Sequence, residues 1–389
     1  MGVWLRVLHL GDVERRSPDE RVYTDFAARI ADAGIQATPA VFEEFVKTTD
    51  QHNYPAPTRI VYPLLEAVVM RLAGIRDAHA GVAVSFILSS LSLGFLAWIG
   101  IRFFDPWVAL AAVTFLAFSV GELAMARRAW QDSAFGFLGL LLMFVTCEIA
   151  SNPGERRWYP AFFALGTLSL LTKPTGVIIY AVCELWLLWV VLAKERLRKP
   201  ALLLVGGGMA SVVVTVGVLS LAAGGLATAI IALKLSITPG EESMAYLREV
   251  SSCPWYQFLD MLWIVGPVPL LLAASGAVIV AFRDRRKAAM CVLLVTGAFV
   301  LFFAVFPLMQ NLRYLSPSNG AFCLLAGIGF CYLMSLAQGR LSVAGYNSVV
   351  AVSIVLVMIA LVRDYGTFHS VVVQRAVLDL AVKMIRQYR

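Results

Sequence analysis

The chain has 389 residues, 60% of them hydrophobic and only 15% charged. Soluble domains carry about 25% charged residues and about 45–50% apolar ones, which excludes a soluble globular protein. The net charge of +7 does not point to nucleic acid either, because the basic residues gather in short loops between apolar runs, the distribution that membrane insertion imposes.

Those runs are long and continuous. About 20 helical residues cross a hydrocarbon core, and only helices or closed barrels satisfy the backbone there. The fold class is therefore all-α, a polytopic membrane helical bundle. Taken in chain order, residues 1–10 (MGVWLRVLHL) are too short to span and contain Arg6. They lack the apolar core and cleavage site of a signal peptide, and read as the stub of a first transmembrane segment whose beginning is absent. Residues 11–78 form the first loop outside the cytoplasm. Within it Ser17, Pro18 and Gly34 punctuate a helix. Tyr23, Phe26, Ala27 and Ile30 repeat along it at helical spacing, predicting an amphipathic surface helix. A second short helix is predicted from Pro39 to Lys47.

Ten spans are expected, at 79–101, 107–126, 133–150, 158–172, 174–193, 201–223, 263–282, 288–308, 317–337 and 344–362, so that 79–362 is the transmembrane core. The stretch 59–73 is shorter, holds Arg59, Glu66 and Arg71, and is not expected to span. The basic loops 154–157, 194–199 and 283–287 are separated by even numbers of spans and are expected in the cytoplasm. Alternation then puts 11–78, 127–132, 224–262, 309–316 and the tail 363–389 outside, the tail with a surface helix over 371–385. Trp255 and Tyr256 read as an interfacial aromatic belt. The six cysteines are scattered without a CxxC pair and the four histidines have no ligand spacing, so no metal or other cofactor is assigned.

The outer face collects the reactive side chains. Asp19 and Glu20 adjoin each other, with Tyr23 one turn on. Arg127, Arg128 and Asp132 share the next outer loop. Lys173 precedes a proline at a span end, and Arg313 and Tyr314 sit just before another span. Carboxylates there suit a general base and an orienting group, and Lys173, Arg127 and Arg313 suit a phosphate. The residues by themselves suggest group transfer from a lipid-linked phosphate. Bland explanations compete at each position. Glu20 stands at capping-box spacing from Ser17, Asp19 is favoured by the helix dipole, and the cations fit interfacial anchors. Glu122, Glu148 and Glu184 are left off the site.

The ordered set SPDERVYTDFA, YPAPTRIVYPLL, RRAWQDSAFGFL, LLTKPTG and NLRYLSP resembles the GT-C glycosyltransferases of the polyprenyl-phosphate-mannose protein mannosyltransferase type, including the aminoarabinose transferases of lipid A. The resemblance extends over about 12–340. It implies a GT-C bundle and an inverting transfer of a sugar from a polyprenyl-phosphate donor to an acceptor (protein, lipid or glycan) outside the cytoplasm. The compact size, without large luminal domains, points to a bacterial inner membrane. Carried over by motif, the resemblance implies Asp19 as the base, Glu20 and Asp132 as further acids of the catalytic set, and Lys173, Arg127, Arg313 and Tyr314 as donor-phosphate ligands. Tyr23, Arg59 and Tyr62 are weaker substrate-binding candidates. A divalent ion held by a carboxylate pair, as in some relatives, stays open. The rival readings are a membrane transporter or lipid flippase, which repeated halves and midplane broken helices would favour, and a non-catalytic membrane subunit.

Overall fold

The computed structural model describes residues 1–8, 10, 17–48, 55–237, 262–263, 266–284, 286–306, 312–338 and 340–370. Among them there is no strand. Helix α1 (Gly2–Val7) is followed by α2 (Pro18–Ala33), α3 (Thr38–Lys47) and α4 (Val61–Ala73). The start of α2 is built as its sequence dictates. The Ser17 N–H donates to Glu20 Oε2 at 2.7 Å and the Ser17 hydroxyl accepts from the Glu20 N–H, while Pro18 occupies a first-turn position that lacks an N–H partner anyway. The predicted stripe of α2 is buried. Phe26, Ala27 and Ile30 form one core with Phe42 and Phe45 of α3 and Ala67 and Met70 of α4. Arg71 of α4 donates to the carbonyls of Ala31 at 2.8 Å and Ile30 at 3.1 Å, tying the last turn of α2 to α4.

The bundle follows as α5 (Ala78–Phe103), α6 (Pro106–Phe118), α7 (Val120–Ala126), α8 (Asp132–Ser151), α9 (Trp158–Thr172), α10 (Gly176–Trp189), α11 (Arg198–Ala222), α12 (Leu226–Ile237), α13 (Pro267–Phe282), α14 (Lys287–Val305), α15 (Ser316–Gln338) and α16 (Val343–Thr367). It is a multi-pass membrane protein. Each of the ten expected ranges holds helix, but they are not ten equal spans. Seven helices are long and apolar enough to cross a membrane, and α6 with α7 makes an eighth if the bent pair counts as one. The expected span 107–126 is broken at Ser119, whose extended backbone (φ −59°, ψ 120°) turns α7 by 60° from α6. Helices α9 and α13 are shorter, at 15 and 16 residues. In α13 the expected start at 263 moves to Pro267, a first-turn proline. Residues 226–237, read as outer loop, form the apolar helix α12. The Trp255–Tyr256 belt and the tail helix over 371–385 lie outside the described residues.

Helix α8 is the axis of the bundle, with 89% of its span buried. Its residue Gly139 lies against the start of α15, where a Cβ would stand 2.5 Å from the Pro317 carbonyl oxygen. Glycine here lets two backbones meet as small residues do in membrane bundles. That contact brings the segment preceding α15 to the N-terminus of α8.

Candidate active site

Five segments meet at that end of the bundle: the first turn of α2, the turn before α4, the 127–132 stretch, the α9–α10 turn and the 312–315 turn. Arg313 Nη1 donates to Asp19 Oδ2 at 2.6 Å across 294 residues of chain. Lys173 Nζ donates to Asp132 Oδ1 at 2.6 Å, and both side chains are almost wholly buried. Asp132 opens α8, where the helix dipole favours a carboxylate. Lys173 closes α9 in an extended conformation that Pro174 imposes on the residue before it. The Tyr314 ring lies under the ammonium, with Lys173 Nζ 4.1 Å from its centroid, a cation–π contact.

Arg59 completes the cluster, its Nη1 donating to the Tyr23 hydroxyl at 3.1 Å. Tyr23 packs edge-on against Tyr62, with centroids 5.5 Å apart. Tyr62 in turn donates to the Gly81 carbonyl at 2.8 Å, which locks α4 to α5. The electrostatics follow from this geometry. Burial alone would raise Asp19, but the charge and hydrogen bond of Arg313, with Arg59 and Lys173 behind it, hold the carboxyl below its usual range. Burial pushes the Lys173 ammonium down. Asp132 opposes that, Arg313 and Arg59 add to it, and the group titrates at about 8. Burial also keeps the Tyr23 hydroxyl protonated well above its usual range, despite Arg59.

Glu20 and Arg127 face elsewhere. Glu20 is fully buried. Besides its cap it accepts from the Ala129 N–H at 2.9 Å and pairs with Arg128 Nη2 at 2.6 Å. It thereby fastens α2 to the 127–131 stretch. The Arg127 guanidinium lies over Phe368, 5.5 Å from the ring centroid.

Sequence reasoning missed three residues. Trp130 donates from Nε1 to Ser17 Oγ at 2.9 Å, and the guanidinium groups of Arg128 (5.1 Å) and Arg313 (5.3 Å) both lie over its ring. Gln131 is buried. With its amide turned to satisfy both ends, it donates to the Thr172 carbonyl at 2.6 Å and accepts from Arg59 at 3.0 Å. The signal for both lay in the motif RRAWQDSAFGFL, of which only the charged members were read. The third, Glu122, accepts from Asn319 at 2.9 Å and Ser89 at 3.3 Å, and Ser89 accepts from Arg6 at 2.8 Å. This buried chain ties α1, α5, α7 and α15 together beneath the cluster. No group of three or more His, Cys, Asp or Glu among the described residues is arranged to hold a metal ion.

Residues 56–220 match the family model of dolichyl-phosphate-mannose-protein mannosyltransferases. The fold matches ArnT from Cupriavidus metallidurans, solved bound to undecaprenyl phosphate, with a TM-score of 0.58 at 17% identity over 99% of this chain and 66% of that one. It also matches the oligosaccharyltransferase of Archaeoglobus fulgidus in its apo form, with a TM-score of 0.63 at 12% identity over 94% and 55% of the two chains. The archaeal AglB with an inhibitory peptide and a dolichol-phosphate matches at 0.52 and 13% identity, over 84% and 52%. The chain thus spans from about half to about two thirds of the length of these proteins. Among curated proteins none matches by sequence. The fold is that of the GT-C glycosyltransferases, and the resemblance read from the motifs is borne out by the family model and by these neighbours.

Proposed function

We propose that this protein is an inverting membrane glycosyltransferase that moves a sugar from a polyprenyl-phosphate donor to an acceptor hydroxyl or amide outside the cytoplasm. The observation that carries the reading is the Asp19–Arg313 contact at 2.6 Å, set beside the buried Lys173–Asp132 pair. An acid and several cations suited to a phosphate thus share one cluster, drawn from segments far apart in the sequence. ArnT with undecaprenyl phosphate and AglB with dolichol-phosphate supply the donor class.

The incoming donor phosphate competes with Asp19 for Arg313, and Lys173 and Arg59 add charge for it. Guanidinium and ammonium groups in a dry site stabilise the negative charge that grows on the departing polyprenyl phosphate. Once Arg313 turns to the phosphate, Asp19 loses the partner that holds its pKa down. It then takes the proton of the acceptor as the acceptor attacks the anomeric carbon from the face opposite the phosphate. Tyr314 supports Lys173, and Tyr23 and Arg59 orient the sugar or acceptor. Asp132 keeps Lys173 charged, and Glu20 fastens α2 to the 127–131 stretch. The basic loops 154–157 and 194–199, with residues 283–284 and 286–287, lie at the helix ends opposite this cluster, and the positive-inside rule supports placing the site outside the cytoplasm, at a bacterial inner membrane.

The test is transfer from radiolabelled polyprenyl-phosphate sugars in membranes, comparing wild type with Asp19→Asn at equal expression. A lost general base is expected to cost about 10²–10⁴-fold. Equal transfer by both proteins would remove Asp19 from the mechanism.

A further inference from the structure

A second site lies next to the cluster and is not used by the reaction above. Where α6 breaks at Ser119, the helices part and leave a cavity of about 70 Å³. Its walls are mainly apolar, with Phe115, Phe118, Val300, Phe322 and Leu361 among them. A mainly apolar wall with a few polar groups is the lining of a small-molecule or single-chain site. One wall carries an acid. Asp364 on α16 is 3% exposed and its Oδ1 has no hydrogen-bond partner. Arg363, next to it in the chain, is exposed. Ser119, Thr296, Ser318 and Asn319 are the other polar groups at the cavity.

A buried carboxylate without a donor is costly, and ionisable groups within membrane segments mark sites more often than they mark packing. The occupant must therefore bring a donor to Asp364 and hydrocarbon to the rest of the wall. The tail of a polyprenyl carrier has no donor and would strip the carboxylate of water without replacing it. An anionic headgroup would be repelled. We propose that this cavity binds an amphiphile with an ammonium headgroup, the ammonium on Asp364 and the chain against Phe115, Phe118, Val300 and Phe322. Through Leu315 and Ser318, which line the cavity two and five residues after Arg313, an occupant would press on the segment that carries Arg313 and Tyr314.

The test uses the purified protein in phosphatidylcholine nanodiscs and a long-chain primary amine bearing a diazirine. After photolysis the label is mapped by mass spectrometry. Label is expected on the segments holding Phe322 and Leu361. It is expected to fall about tenfold or more in Asp364→Asn, the loss of one hydrogen bond to a charged group. Phe322→Trp, which narrows the cavity and leaves Asp364 in place, is expected to reduce it too. The alcohol of equal length should label more weakly than the amine, and the carboxylate not at all. Equal labelling by amine and carboxylate, label confined to outward-facing residues such as Val213, or label unchanged in both variants would overturn the proposal. Asp364→Asn removes an unpaired buried charge and is expected to melt no lower than wild type, so lost labelling cannot be assigned to unfolding.

Discussion

Asp132→Asn tests whether the Lys173–Asp132 pair works as an electrostatic unit. The pair is dry, with a 2.6 Å contact and side chains 3% and 2% exposed. Asp132 holds the ammonium up by charge and hydrogen bond, whereas burial, Arg313 and Arg59 push it down from its ordinary value to about 8. The native pKa thus lies below the unfolded one, so a charged Lys173 opposes folding and Asp132 limits that opposition. Removing Asp132 lets Lys173 shed its proton. The penalty then has a ceiling, because at pH 7 the release of a proton from a group that titrates at about 8 costs one pKa unit, ~1.4 kcal/mol. At pH 6 the ceiling is two units, ~2.7 kcal/mol. At pH 9 it vanishes, since Lys173 is then neutral in the native protein too. A buried charge that could not leave would instead cost about 3–5 kcal/mol at every pH. Melting temperatures of the two proteins in detergent, compared at pH 6, 7 and 9, read the difference. The deficit of Asp132→Asn is expected to shrink steadily as pH rises. A deficit of the same size at all three values would refute the reasoning.

Three further outcomes are expected. Donor kcat/KM, which reports the free enzyme, should fall as pH rises through about 8, and Lys173→Arg should abolish that alkaline limb. Arg313→Ala removes the cation that keeps Asp19 below its usual range, so the acid limb of the kcat/KM profile should move to higher pH. Loss of the positive charge that stabilises the leaving phosphate should lower the plateau by about 10²-fold or more. Glu20→Gln breaks the dry contact with Arg128, which should cost about 3–5 kcal/mol of stability. It should leave kcat per folded molecule near wild type, whereas Asp19→Asn should do the reverse; melting curves and transfer assays on the same samples separate the two.

The helices were legible because apolar runs of membrane length admit few alternatives, and the first-loop helix because Ser17, Pro18, Glu20 and Gly34 each mark a helix end by their own chemistry. The break at Ser119 was not. Hydrophobicity runs on unaltered from Trp107 to Ala126 apart from Glu122, and the partners that Glu122 meets just past the break, Ser89 and Asn319, are far away in sequence. Asp19, Lys173 and Arg313 could be named because their motifs keep charge beside helix ends. Which acid meets which cation could not, since Asp19 and Arg313 lie 294 residues apart and meet only through the packing of α15 on α8. The partners of Glu20 were hidden for the same reason. Its capping box is local and readable, whereas Arg128 and the Ala129 N–H arrive from 108 and 109 residues away.

The three acids at this end of the bundle differ in what they are free to do, and that difference argues for one of them as the base. Every contact of Glu20 is fixed: two N–H groups and a buried guanidinium hold its oxygens. Asp132 is dry, and its Oδ1 is taken by a lysine. Giving either a proton would leave a buried cation without its counter-charge, a cost that no step of the transfer returns. Asp19 alone keeps a fifth of its side chain exposed, and its partner Arg313 is about as open, at 16%. Arg313 is also the cation that a donor phosphate can draw away. Asp19 therefore changes its proton affinity when the donor arrives, while the other two hold the frame in which that change takes place. A base that strengthens only when the phosphate has bound is one that does not squander protons before the sugar is in place.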